Sequence, residues 1–219
     1  MKLVALFVLL GSLLVFAPIS HAKEYSVNVK VGTLGVGVEG EYSINEYFGA
    51  RLGANYFKYS YSGDTEDVNY DFDLALKTVS ALVDYHPFEG SFRISTGLYY
   101  NGNKLDAVAT AATSYDINGT TYTPTELGTL NGEVDFKKVA PYLGLGWDTS
   151  FGKESGFGFY CDLGAVFQGS PDAKLTANGT KSNDPLFLKD LAAEEAELQD
   201  KVDKFKIYPV VALGVSYRF

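Results

Sequence analysis

Eight stretches of this chain alternate between large apolar residues and small or polar ones, and no other feature limits the fold as strongly. A period of two marks a strand with one apolar face. Tyr25, Val27, Val29 and Val31 share a face against Ser26, Asn28, Lys30 and Gly32. Leu34, Val36, Val38, Tyr42 and Ile44 stand against Gly35, Gly37, Glu39, Glu41 and Ser43. The parity flips between Val31 and Leu34, which calls for a turn or a bulge at Gly32-Thr33; a turn keeps the strand number even.

The pattern recurs along the chain. Phe48, Ala50, Leu52, Ala54 and Tyr56 oppose Arg51, Gly53 and Asn55. Tyr70, Phe72, Leu74 and Leu76 oppose Asp71, Asp73 and Lys77. Phe92, Ile94, Leu98 and Tyr100 form the fifth apolar face, and Val139, Leu143, Leu145 and Trp147 the sixth. Phe157, Phe159, Leu163 and Phe167 form the seventh. The eighth runs back from the terminus through Phe219, Tyr217, Val215, Leu213 and Val211. Each stretch suits a tilted membrane crossing of about 9–11 residues.

A soluble sandwich also alternates, with its apolar face inside. Two features favour a membrane barrel instead. Aromatic residues mark many strand ends, among them Tyr25, Tyr42, Phe48, Tyr56, Phe92, Tyr100, Trp147 and Phe157, as an interfacial girdle requires. The connections alternate in length: those at "INEY", "HPFEGS" and "SFGKESG" are short, whereas residues 105–135 and 170–205 are long. The expected fold is therefore all-β: an eight-stranded antiparallel transmembrane β-barrel with long extracellular loops, one of them containing a short helix. The helix is read over 185–205, with Leu188, Leu191, Leu198, Val202 and Phe205 on one stripe and Glu195 interrupting it. Asn118-Gly119 and Asn131-Gly132 both predict hairpin turns.

Composition agrees. The 219 residues include 16 Tyr, 15 Phe and 23 Gly, with mean hydropathy near zero. The opening 22 residues are distinct: Lys2, an apolar run from Leu3 to Phe16, then Ser20-His21-Ala22, the pattern of a cleaved signal peptide. The expected division is residues 1–22 as signal peptide and 23–219 as the barrel domain, localised to the bacterial outer membrane. Cleavage would change the formal charge from −9 to 17 − 27 = −10. That sign argues against nucleic acid as a partner. A single cysteine, Cys161, excludes an intrachain disulfide.

The inward faces carry the charges. Glu39, Glu41, Arg51, Asp73, Lys77, Arg93, Asp148 and Asp162 are the candidate lumen charges. Arg51 is expected to pair with Glu39 or Glu41 across the turn near Asn45. Two readings of the interior stay open. The charges form a polar plug, since eight strands enclose room for side chains and little more; or inward glycines such as Gly144, Gly146 and Gly164 leave a narrow wet path. Catalysis is not expected. The one histidine beyond residue 22, His86, sits beside Pro87 in a short turn and reads as a solvated turn residue, and there is no Gly-x-Ser-x-Gly and no metal-ligand cluster. No cofactor is expected.

The stretches "VGTLGVGVEG", "INEYFGARLGANY", "VAPYLGLGW" and "GAVFQGSPDAKL", with the run into "YPVVALGVSYRF", resemble the CarO family of small outer-membrane proteins known from Acinetobacter, over roughly residues 31–219. That resemblance implies a monomeric eight-stranded barrel linked to uptake of basic amino acids such as ornithine and to carbapenem susceptibility. No binding residue carries over. The functional expectation is porin-like passage of small, amino-acid-like solutes or a structural membrane role. The alternative is an interaction or adhesion protein acting through its extracellular loops, and a lipid-modifying enzyme stands third. Expected partners are outer-membrane lipids, lipopolysaccharide and the barrel assembly machinery. The last strand, with Phe219, Tyr217, Val215 and Leu213 on one face, resembles the terminal signal that this machinery reads.

Overall fold

The computed structural model describes residues 24–64, 68–111 and 113–219; the proposed signal peptide lies outside them. Eight strands hydrogen-bond in a closed antiparallel ring: β1 (Tyr25–Gly32), β2 (Gly35–Ser43), β3 (Phe48–Asp64), β4 (Val68–Tyr85), β5 (Phe92–Asn101), β10 (Val139–Asp148), β11 (Gly156–Val166) and β13 (Tyr208–Arg218). Closure is made by β1 and β13, with Val27 opposite Tyr217 and Val31 opposite Leu213. Closure satisfies every ladder, as a strand surrounded by hydrocarbon requires.

Between β1 and β2, Gly32 pairs with Gly35, so Thr33-Leu34 is a two-residue turn and not a bulge. Gly35 adopts φ +94°, and a Cβ there would lie 2.5 Å from the Tyr56 carbonyl oxygen. Leu34 itself is buried, so it belongs to the interior and not to the apolar outer face expected for it. A turn residue is free of the strand's alternation.

Burial is inverted relative to a soluble protein. Leu52, Val79, Leu98, Leu143, Phe159 and Val215 point outward and are exposed, while Glu39, Arg51, Asp84, Arg93, Asp148 and Asp162 are buried. Apolar atoms on the outside of a closed ring need an apolar solvent. Aromatic pairs band the short-turn end on each hairpin: Tyr25 with Tyr42, Phe48 with Tyr85, Phe92 with Trp147, and Phe157 with Tyr217, ring centroids 4.9–5.3 Å apart.

The fourth crossing differs from the sequence reading. It is Thr78–Tyr85, paired with β5, whereas the Tyr70–Ala75 portion stands beyond the barrel, paired with β6 (Lys104–Ala111). The backbone of β4 keeps one parity throughout. Leu76, Thr78, Ser80, Leu82 and Asp84 are buried toward the inside, and Val79 and Val83 face out. It is the apolar set that changes sides, from even positions up to Leu76 to odd positions from Val79, because the surroundings change from a packed sheet face to lipid. Two expected lumen charges are corrected as a result. Asp73 and Lys77 are both exposed: Asp73 accepts from the Ser60 hydroxyl and sits 3.7 Å from Lys58, and Lys77 lies opposite Tyr56 on the outer face.

Beyond the long-loop end the sheet continues through the upper halves of β3 and β4 into β6, β9 (Thr129–Asp135) and β12 (Asp172–Ala177). A small hairpin of β7 (Tyr115–Ile117) and β8 (Thr120–Tyr122) turns at Asn118-Gly119, whose φ angles are +50° and +78°. Asn131-Gly132 makes no turn, contrary to expectation. Gly132 lies inside β9, paired with Ala107 on one side and Leu175 on the other, so two ladders outweigh the local turn preference. The short helix α1 (Pro124–Leu127) opens on a Thr123–Glu126 capping box, and α2 (Pro185–Val202) on the Asp184 carboxylate.

Candidate functional site

The interior holds three layers. The middle one is ionic. Arg51 donates from Nε and Nη2 to Asp84 at 2.5 and 3.0 Å, and from Nη1 to Glu39 at 2.8 Å and Asp162 at 3.1 Å. Its Nη1 also donates to the Tyr160 hydroxyl at 2.5 Å, and Nη2 to Ser95 at 3.0 Å. Lys30 donates to Glu39 at 2.9 Å, and Arg93 to Asp162 at 2.8 Å. The Tyr160 ring lies under the Arg93 guanidinium at 4.6 Å, and its hydroxyl contacts Asp162 closely. Three cations thus face three carboxylates, which suits a fully buried cluster. Glu41 is directly opposite Arg51 in register, yet Arg51 turns to Glu39.

Toward the short-turn end lies a second polar layer. Asp148 accepts from Ser216 Oγ and the Ser150 amide, both at 2.7 Å. Arg218 donates to Ser43 at 2.9 Å and sits 3.7 Å from Glu41. Neither carboxylate oxygen of Glu41 accepts a hydrogen bond among the described residues. His86 and Phe151 stack at 3.4 Å, and His86 Nδ1 donates to the Gly90 carbonyl at 2.7 Å. His86 is fully buried, not solvated as its place in a turn suggested. Burial pushes its pKa below the ordinary value, although the Gly90 bond and Asp84 oppose this.

Toward the long-loop end the layer is apolar: Leu34, Leu82, Tyr99, Tyr142, Val166 and Val210 pack together. The inward glycines leave no path here. The Tyr142 ring covers Gly144 and Gly164, within 2.2–2.7 Å of where a Cβ would stand, and Asp162 and Arg93 close over Gly146. A cavity lined by Lys30, Leu34, Asn55, Tyr99 and Val210 has about 10 Å³, space for one water at most. These glycines make room for large side chains, from their own strand at Gly144 and from neighbouring strands at Gly146 and Gly164.

Of the expected lumen residues, Glu39, Glu41, Arg51, Arg93, Asp148 and Asp162 lie in these layers, and Asp73 and Lys77 do not. Asp84, the bidentate partner of Arg51, escaped sequence reading because the fourth crossing was placed too early. Its signal was the alternation of Val79, Ala81, Val83 and Tyr85 ahead of the turn. Phe219, Tyr217, Val215 and Leu213 share the outward face of β13, and the Phe219 amide donates to the Tyr25 carbonyl at 3.1 Å.

The loop sheet is the second candidate. Its β12 edge is covered by α2: Glu195 accepts from the Leu175 amide at 2.8 Å and Gln199 from the Ala173 amide at 2.9 Å. The acidic residue that interrupts the helical stripe is therefore an edge cap. Asp190 accepts from Tyr122 at 2.8 Å and Asn118 at 3.1 Å, bonds that hold its carboxyl below the usual range, while Phe187 and Leu191 pack on Ile117, Tyr122 and Leu127. The opposite edge, β3 from Phe57 to Asp64, pairs with β4 and with no other strand among the described residues, and exposes Phe57, Tyr59 and Tyr61. A cleft of about 400 Å³ opens on the polar face between Asp106, Val108, Asn131, Glu133, Lys174 and Thr176.

A closed eight-strand ring, apolar outside and charged inside, defines an outer-membrane β-barrel protein. No protein-family model matches the chain, and no curated protein matches it. Among solved structures, CarO of Acinetobacter baumannii matches over 89% of this chain and 97% of its own, at 25% identity and a TM-score of 0.57. CarO2 of the same organism matches over 90% and 98%, at 24% identity and a TM-score of 0.57. The chain is a CarO-like small outer-membrane barrel.

Proposed function

We propose that this protein is a sealed outer-membrane anchor, a structural barrel whose working part is the loop sheet held outside the bacterial cell. The observation that carries the reading is the stacking of an apolar layer on an ionic layer across the same lumen. A solute would have to displace Tyr99 and Tyr142 and then separate Arg51 from three carboxylates. The loop sheet supports the interaction role: it is braced by α2 at one edge and offers a strand with one free edge and exposed aromatic residues at the other, the arrangement to which a partner strand or apolar surface adds. The role is not catalytic.

Planar-bilayer recording on the refolded protein tests this. Wild-type protein should give no stable current steps above leak; reproducible steps would refute the seal and establish porin-like passage. That second reading, for amino-acid-like solutes, is favoured by the short-turn half of the lumen. There Glu41 and one oxygen of Asp148 are buried without a protein hydrogen bond, and such groups draw in water.

A further inference from the structure

The outer rim is not electrically uniform. Along the arc made by β10, β11 and β13, the segments Phe136–Tyr142, Leu163–Ser170 and Lys204–Val211 carry four lysines, Lys137, Lys138, Lys204 and Lys206, and no Asp or Glu. All four are exposed. Lys138 has a distant neighbour in Asp135, at 3.8 Å; Lys137, Lys204 and Lys206 form no ion pair among the described residues. The topology brings them together. The Gly169 amide donates to the Lys206 carbonyl at 3.0 Å, and a side chain at Gly169 would stand 3.2 Å from Lys137 Cδ and Nζ. Lys137 therefore lies across the gap at Gly169, about one strand spacing from Lys206. Beside them is exposed apolar surface that runs into the outward faces of β10 and β13: Val139 is 60% exposed, Phe205 62% and Ile207 55%, and Phe167 is exposed as well.

Apolar side chains continuous with the lipid face, topped by unpaired cations, match an amphiphile that has acyl chains below and anionic groups at the headgroup. The geometry points to a binding site for a phosphorylated glycolipid of the outer leaflet, its phosphates on Lys137, Lys204 and Lys206 and its chains against Val139, Phe167, Phe205 and Ile207. Charge complementarity and continuity with the hydrocarbon-facing band select this occupant over a soluble anion, which would gain nothing from the exposed apolar residues. The site does not depend on whether the lumen conducts.

Native mass spectrometry of the full barrel in mild detergent, titrated with bisphosphorylated lipid A, tests the assignment. Wild-type protein should retain one lipid A through detergent removal. Each lysine near an anionic headgroup is worth roughly five-fold, so the triple change Lys137→Gln, Lys204→Gln and Lys206→Gln should weaken retention about a hundredfold. Lys174→Gln with Lys201→Gln, away from the arc, should leave retention unchanged, and all variants should keep the heat-modifiable gel mobility of a folded barrel. Dephosphorylated lipid A should not be retained. Equal retention by wild type and the triple variant, or displacement of lipid A by inorganic phosphate at matching concentration, would overturn the site.

Discussion

Removing Arg51 should destabilise the barrel more than any other single truncation in the ionic layer. The layer is balanced: Lys30, Arg51 and Arg93 against Glu39, Asp84 and Asp162. Arg51→Ala leaves one negative charge in excess among side chains that solvent does not reach. Asp84 loses its bonds at 2.5 and 3.0 Å and keeps the Ser95 hydroxyl at 2.5 Å, with Arg93 3.9 Å away. Stranding a buried charge costs about 3–5 kcal/mol, a large part of a total stability of about 5–15 kcal/mol. Adding Asp84→Asn restores two cations against two carboxylates and should recover roughly 2 kcal/mol. Glu41→Gln should be milder than Glu39→Gln, because Glu41 accepts no hydrogen bond from the protein and Glu39 does. Urea unfolding of the refolded barrel in detergent, followed by the fluorescence of the single tryptophan, Trp147, measures these four variants and Asp84→Asn alone. A loss below about 1 kcal/mol for Arg51→Ala, the range of an exposed pair, would refute the buried-network account. Strict additivity of Arg51→Ala and Asp84→Asn would do the same.

Replacing Phe219 with Asp should reduce the amount of heat-modifiable, protease-resistant barrel in membranes, since Phe219 ends the outward face of β13 beside Tyr217, rings 5.2 Å apart; equal amounts would remove its assembly role. His86 binds a proton less readily folded than unfolded, so the unfolded chain takes up more protons below about pH 6.5. Stability should therefore be full well above that value and fall as the pH drops through it, and His86→Gln should flatten this part of the profile; an unchanged slope would refute His86 as the group responsible. Phe187→Ala empties the centre of the helix cluster, a change worth about 3–5 kcal/mol in a packed core. Limited proteolysis should then cut α2 while the barrel stays intact; wild-type resistance of the helix would mean that Glu195 and Gln199 hold it alone. Intact mass of membrane-extracted protein should place the mature terminus at Lys23.

Much of this was written in period two. Seven of the eight crossings, the lipid and lumen faces of those strands, the girdle aromatics and the helix can be read from local alternation and spacing. Lipid and lumen are opposite solvents, and strand geometry sends successive side chains to each in turn. The tertiary structure decided what alternation cannot carry. β4 passes from loop sheet to membrane without a break in its backbone, so the change of apolar face at Leu76–Val79 reads as the end of a strand, and Asp84 was hidden behind it. Asn131-Gly132 has the local chemistry of a turn, and pairing with β6 and β12, distant in sequence, straightens it. Inward parity placed Glu39 and Glu41 equally near Arg51, and the positions of Asp84 on the adjacent strand and of Asp162 and Tyr160 across the lumen chose Glu39. The glycines that suggested an open path are covered by Tyr142, from the same strand as Gly144 and the strand beside Gly164, and by Arg93 and Asp162 from the strands flanking Gly146. Parity states which face a residue occupies; filling a closed lumen depends on the volumes and charges of strands that meet only once the barrel has closed.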